Sequence, residues 1–61
     1  MNEKRFYDVR DVSRFMGIST SKAYKIIHKM NEELQEQGYI TVAGKVSKLY
    51  FDEKTYGSRA L

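Results

Sequence analysis

The sequence has no cysteine, and its 61 residues include a single histidine. Without cysteine there is neither a disulfide framework nor a thiolate metal site, and the chain fits a reducing compartment. One imidazole without thiolate partners does not complete a zinc site, so His28 reads as a polar face residue and no metal or cofactor is expected. The sequence pattern offers His28 no nucleophile or carboxylate partner and contains no glycine-rich phosphate loop, so an enzyme is not expected either. Long apolar runs are also missing. No segment approaches the roughly 18 apolar residues of a membrane span, and the polar start MNEKRFYDVR lacks the apolar run of a signal peptide. A cytoplasmic protein without membrane association is the expectation. At this length the chain is read as one domain over 1–61, with residues 1–4 and the terminal SRAL fraying. A domain of this size buries only about 60% of its unfolded surface, which excludes a large enclosed substrate pocket.

A more local absence is informative. From Val12 to Asn31 there is no carboxylate, while Arg14, Lys22, Lys25 and Lys29 all fall in that window; Glu32, Glu33 and Glu36 crowd the next turns. The formal charge is only +3, so the positive potential is concentrated rather than large. Concentration of this kind marks a polyanion site, with an ordinary solvated helix face as the alternative.

Apolar spacing organises the chain. Val9, Val12, Phe15 and Met16 share one face of a short helix over 8–16, with Asp8 as N-cap and Gly17 as a left-handed stop. Ala23, Ile26, Ile27, Met30 and Leu34 recur at helical spacing behind the N-cap Ser19, and Gly38 terminates, which predicts a helix over 20–37. The run YITV, followed by a turn at Ala43-Gly44, predicts one strand or a minimal hairpin within 39–46, for which Arg5-Phe6-Tyr7 can supply a partner strand. Val46, Leu49, Tyr50, Glu53 and Tyr56 share helical spacing, with Ser47 as cap and Gly57 as stop. They predict a third helix over 48–55, although Leu49-Tyr50-Phe51 alone fits a strand equally well. Tyr50, Phe51 and Tyr56 are read as core or core-edge residues. The expected fold is mainly α with a small β element.

Two helices joined by a tight glycine turn form a helix-turn-helix, in which the first helix props the second and the second enters a major groove. That geometry needs apolar contacts, here Val12, Met16, Ile18, Ala23 and Ile26. It also needs a turn residue, Gly17, and a small side chain at the closest approach, Ser13. At about 100° per residue, Lys22, Lys25 and Lys29 cluster within roughly 60° opposite the apolar stripe, where they can meet phosphates together. Thr20, Ser21 and Tyr24 lie near the helix start, where side chains reach base edges and free N–H groups bind phosphate.

The run DVSRFMGISTSKAYKIIHKM, taken with Val9, resembles the DNA-binding domain of excisionases and related MerR-like winged-helix proteins. The pieces GYITVAGKVSKLYF and EKTYG are similar to small proteins of this kind carried on mobile elements of Gram-positive bacteria. The resemblance covers about residues 6 to 57. It implies a compact winged helix-turn-helix with three helices and a minimal strand pair or hairpin. It also implies an excisionase-like factor that binds double-stranded DNA, bends it and assists a tyrosine recombinase (integrase) of a mobile element, in the bacterial cytoplasm at the nucleoid. The candidate DNA-contacting residues are Arg14, Ser19, Thr20, Ser21, Lys22, Tyr24, Lys25, His28, Lys29, Lys45 and Lys48. Homo-oligomerisation on repeated half-sites is expected, because a lone recognition helix binds weakly. Two other readings use the same residues: a repressor or activator of mobile-element genes, and a protein-interaction module in which the aromatic C-terminal segment docks a partner without DNA. Duller roles stand beside the individual assignments. The lesser alternatives are Lys22 and Lys29 as solvated lysines, with Lys29 paired to Glu33, Tyr24 as packed on the first helix or the wing, and Lys45 and Lys48 as solubilising a short hairpin.

Overall fold

The computed structural model describes residues 5–55; Tyr56, Gly57 and the two ends expected to fray lie outside the described residues. The element order is β1 (Phe6–Asp8), α1 (Val9–Met16), α2 (Thr20–Glu36), β2 (Lys45–Ser47) and α3 (Lys48–Thr55). β1 and β2 pair antiparallel, Phe6 with Ser47, Tyr7 with Val46 and Asp8 with Lys45. Three helices and a two-stranded sheet give the winged helix-turn-helix expected from the sequence.

α1 begins where it does because Asp8 and Asp11 cap one another. The Asp11 N–H donates to Asp8 Oδ1 at 2.9 Å, and the Asp8 N–H donates to Asp11 Oδ2 at 3.1 Å, which satisfies two groups that a helix start otherwise leaves open. The helix ends at Gly17, whose φ of +66° and ψ of +40° are left-handed. The Ile18 N–H then donates to the Ser13 carbonyl at 3.1 Å, and the Ser13 hydroxyl donates back to the Ile18 carbonyl at 2.6 Å. Ser13, expected only to be small, therefore also ties the turn. α2 starts on Ser19, whose Oγ accepts the Lys22 N–H at 3.2 Å. It closes through Gly38, at φ +93°, with the Tyr39 N–H reaching back to Leu34 O at 3.0 Å.

The core consists of Val12, Ala23, Ile27, Val46 and Phe51, all nearly or fully buried, with Tyr7, Val9, Ile18, Met30 and Tyr50 packed around it. It differs from the expected one at named places. Ile27, 1% exposed, occupies the position assigned to Ile26, which is half-buried, and Met16 is exposed at 42%. The apolar stripe of α2 is wide enough to admit either isoleucine, and packing against α1 and β2 selects the face centred near Ile27. Tyr39 to Thr41 are not strand; Tyr39 and Ile40 are exposed. β2 begins later, at Lys45, because pairing with β1 rather than local β-propensity fixes its position. In α3 the buried residue is Phe51, and Leu49 is 80% exposed. Phe51 is drawn inward by an aromatic cluster. Its ring lies edge-on to Tyr7 at 5.3 Å, and Tyr7 is edge-on to Phe15 at 5.0 Å, so β1, α1 and α3 are stapled together.

Two further bonds fasten α3. The Tyr7 hydroxyl donates to Asp52 Oδ1 at 3.3 Å, and the Tyr50 hydroxyl donates to Glu33 Oε1 at 2.7 Å. The bond to the Glu33 carboxylate is the chief reason that the Tyr50 phenol is raised above its ordinary value, with desolvation adding to it. Tyr50 therefore stays a donor throughout the neutral range. None of the described helices is long and apolar enough to cross a membrane.

Candidate nucleic-acid interface

α2 displays a single exposed stripe whose charge changes sign along its length. Ala23, Ile27, Asn31 and Leu34 are buried, and the residues half a turn away, Lys22, Lys25 and Lys29, are all exposed. Helical geometry places the three residues within about 60° of one another around the helix axis. Glu32 and Glu36 continue the same side and are exposed too, so the basic part of the stripe is confined to the first three turns. Ser19, Thr20 and Ser21 sit at the positive end of the helix dipole, where the first N–H groups have no acceptor within the helix. The Ser19 oxygen already accepts the Lys22 N–H, which leaves its hydroxyl hydrogen for another partner. Tyr24 is 50% exposed, so half of its side chain is open to solvent.

The remaining assigned residues fall in different places. His28 lies on the exposed side of α2 and, contrary to the expectation that it has no carboxylate partner, its Nε2 is 3.3 Å from Glu32 Oε2, one turn on; both side chains are well exposed, and a pair of this kind contributes little to stability. Glu33, the alternative partner for Lys29, instead accepts the Tyr50 hydroxyl. Lys29 borders an open groove with Ile26, Met30, Glu33 and Lys54. Arg14 is exposed in the last turn of α1. Lys45 is exposed at the start of β2, directly after the hairpin turn, and Lys48, the first residue of α3, reaches over the Tyr7 ring with its ammonium 6.0 Å from the centroid. One helix thus brings together Thr20, Ser21, Lys22, Tyr24, Lys25, His28 and Lys29, with Ser19 as its cap. Arg14, Lys45 and Lys48 are supplied by three other elements.

The hairpin itself is minimal. The Lys45 N–H donates to Val42 O at 3.1 Å, and Gly44, at φ +78°, occupies the third position of the turn, where a type II geometry requires a left-handed residue. The sequence reading placed the turn at Ala43-Gly44 but missed what fastens it. Asn31 interrupts the apolar face of α2 and is buried, and its amide donates to carbonyls of the hairpin. A polar residue at a core-facing helical position was the available signal, since buried polar groups have partners.

A paired hairpin set beside two helices joined by a left-handed glycine turn defines the class: a winged helix-turn-helix protein. Over 48 residues the chain is 38% identical to the ICEBs1 excisionase of Bacillus subtilis (strain 168), a match that spans 79% of this chain and 75% of that protein. The chain belongs to the excisionase family. No protein-family model matches it, and no solved structure matches it.

Proposed function

We propose that the chain binds double-stranded DNA through the first three turns of α2 and acts as a non-enzymatic accessory factor in excision of a mobile element, alongside a tyrosine recombinase. The observation that carries the DNA reading is the charge reversal along the exposed stripe of α2. Lysines on one side of a helix whose N-terminus is polar and capped suit a phosphate backbone, and the glutamates beyond them repel it. The role in excision rests on the kinship to the ICEBs1 excisionase.

In this reading Lys22, Lys25 and Lys29 contact phosphates, while Thr20, Ser21 and Tyr24 face base edges. Ser19 and the first N–H groups of α2 hold a phosphate at the helix start. His28 flanks the lysines, and Arg14, Lys45 and Lys48 supply contacts from the neighbouring elements. A single α2 reads few base pairs, so copies bind side by side on repeated half-sites and bend the duplex between them. The same surface serves a promoter as readily as an attachment site, which keeps repression or activation of mobile-element genes as the second reading. The interaction-module reading is weaker, because Phe51 is buried in the core and the Tyr50 hydroxyl is held by Glu33. Tyr50 and Phe51 therefore do not form an open patch.

Selecting bound fragments from the source genome tests the function directly. Enrichment of the ends of an integrated element supports excision; enrichment of promoters alone favours transcription control; no salt-sensitive duplex binding at all removes both.

A further inference from the structure

Asn31 is the one buried polar residue among the described residues, at 8% exposed. It lies one turn after Ile27 on the core side of α2, where an aliphatic residue would ordinarily sit. Its side-chain nitrogen donates to Val42 O at 3.2 Å and to Lys45 O at 2.8 Å. Those carbonyls belong to the first and last residues of the hairpin turn, which is itself closed by the Lys45 N–H on Val42 O. One amide group thus grips both ends of the turn. One helical turn further on, Gln35 donates through Nε2 to Thr41 Oγ1 at 2.7 Å, guiding the segment that leads into the hairpin.

Buried Val46 anchors β2 in the core, but the turn ahead of it, with Val42 and Lys45 exposed, has little else to fix it. β1 and β2 share three residue pairs, and Lys45 is the last of them; a two-stranded ribbon of that length is marginal without packing. A core position that only needed filling would be served by leucine. A planar amide whose two hydrogens point at two defined carbonyls sets direction as well as distance, and buried polar groups with full pairing act in this way to specify one arrangement.

We propose that Asn31 is the positioning residue of the wing: it locks the Val42–Lys45 turn to the recognition helix so that Lys45 meets the phosphate backbone of the same duplex that α2 engages. The proposal rests on the DNA-binding reading above and adds to it a mechanical link between helix and wing. Lys45 is exposed and directly adjoins the gripped carbonyl, so its reach depends on where the turn is held. When the grip is lost, Lys45 remains present and charged but is no longer presented in one place.

The test is a double-mutant cycle read by salt titration of duplex binding, using the parent, Lys45→Ala, Asn31→Leu and the Asn31→Leu/Lys45→Ala double variant. Leucine matches the amide in size and leaves no unmet donor, and Asn31→Ala serves in its place if leucine does not fit; circular dichroism checks that each variant is folded. Losing one phosphate contact makes the slope of log K against log salt shallower by about 0.9. The proposal predicts that shift for Lys45→Ala, a similar shift for Asn31→Leu, and no further shift in the double variant. Parent-like binding by folded Asn31→Leu, with the Lys45→Ala shift undiminished in that background, would make Asn31 a core residue only and overturn the proposal. An unchanged slope for Lys45→Ala in the parent overturns it too, since the wing then does not touch DNA. Lys29→Ala, measured in parallel, separates the two levels: if it shifts the slope while Lys45→Ala does not, the helix reading stands and the wing inference falls. If the parent binds no duplex, both fall together.

Discussion

The two halves of the molecule are held by different kinds of bond. From Asp8 to Gly38 the fastenings are local: Asp8 with Asp11, Ser13 with Ile18, Ser19 with Lys22, each within five residues along the chain. From Tyr39 onward short-range bonds close the Val42–Lys45 turn and the ends of α3, but the bonds that fix where these pieces sit are remote. Asn31 reaches 11 and 14 residues to the hairpin, Glu33 accepts from Tyr50 across 17, and Tyr7 bonds Asp52 across 45. The helical half sets its own geometry, whereas the second is placed by side chains of α2 and of β1. In the DNA-binding reading proposed above, such a division suits a stiff recognition helix and a wing that must be aimed.

The largest expected effect comes where the halves share a core. Ile27 touches that shared cluster, and Ile27→Ala should cost roughly 2 to 5 kcal/mol, unfolding both halves together in so small a domain. Ile26→Ala, at a half-buried position, should cost clearly less. Urea or thermal unfolding of the two variants orders them, and the opposite order would place the wrong side of α2 against α1.

Next come the local fastenings of the first half. Gly17→Val forces a β-branched residue into a left-handed conformation and should cost about 1 kcal/mol or more. No neighbouring atom lies within 4 Å of where its Cβ would be, so the cost is backbone strain alone. An unchanged melting temperature would mean that the turn relaxes out of that conformation. Asp8→Ala removes one side of the capping pair and should cost about 1 kcal/mol, within the usual range for an N-cap. Thermal unfolding checks it, and a neutral result would show that Asp11 or solvent replaces the cap.

The smallest effect is on the second half. Tyr50→Phe deletes the hydroxyl bond to Glu33 and should lower the melting temperature slightly at neutral pH. The phenol is raised in the folded chain, so its contribution is fully present below the ordinary tyrosine range near 10 and is lost as pH rises through the raised value. Parent and Tyr50→Phe should therefore converge in stability at high alkaline pH; a gap that persists there would assign the difference to packing.

The same division explains what the sequence disclosed. Asp8, Gly17, Ser19 and Gly38 are local signals with local consequences, and the helices they bound lie within a residue of where spacing placed them. The strand did not, because Tyr39-Ile40-Thr41 has strand-like composition while the pairing that makes a strand is decided by β1, some forty residues earlier. Ile26 and Ile27 are indistinguishable on a broad apolar stripe until the neighbouring elements are in place. On the candidate interface, exposure of Lys22, Lys25 and Lys29 followed from helical spacing alone. The grip of Asn31 on the hairpin did not, since it joins residues that periodicity cannot relate.

Whether the basic half of α2 faces duplex DNA is decided by a salt titration of binding to cognate and random duplexes, comparing the parent with Lys29→Ala and with Ser21→Ala and Tyr24→Ala. If it does, Lys29→Ala weakens binding to every duplex and makes the salt slope shallower by about 0.9, with preference for the cognate site unchanged. Ser21→Ala and Tyr24→Ala should instead lose about 1 to 3 kcal/mol of that preference at a nearly constant slope. If all three folded variants bind both duplexes as the parent does, α2 is not the recognition helix.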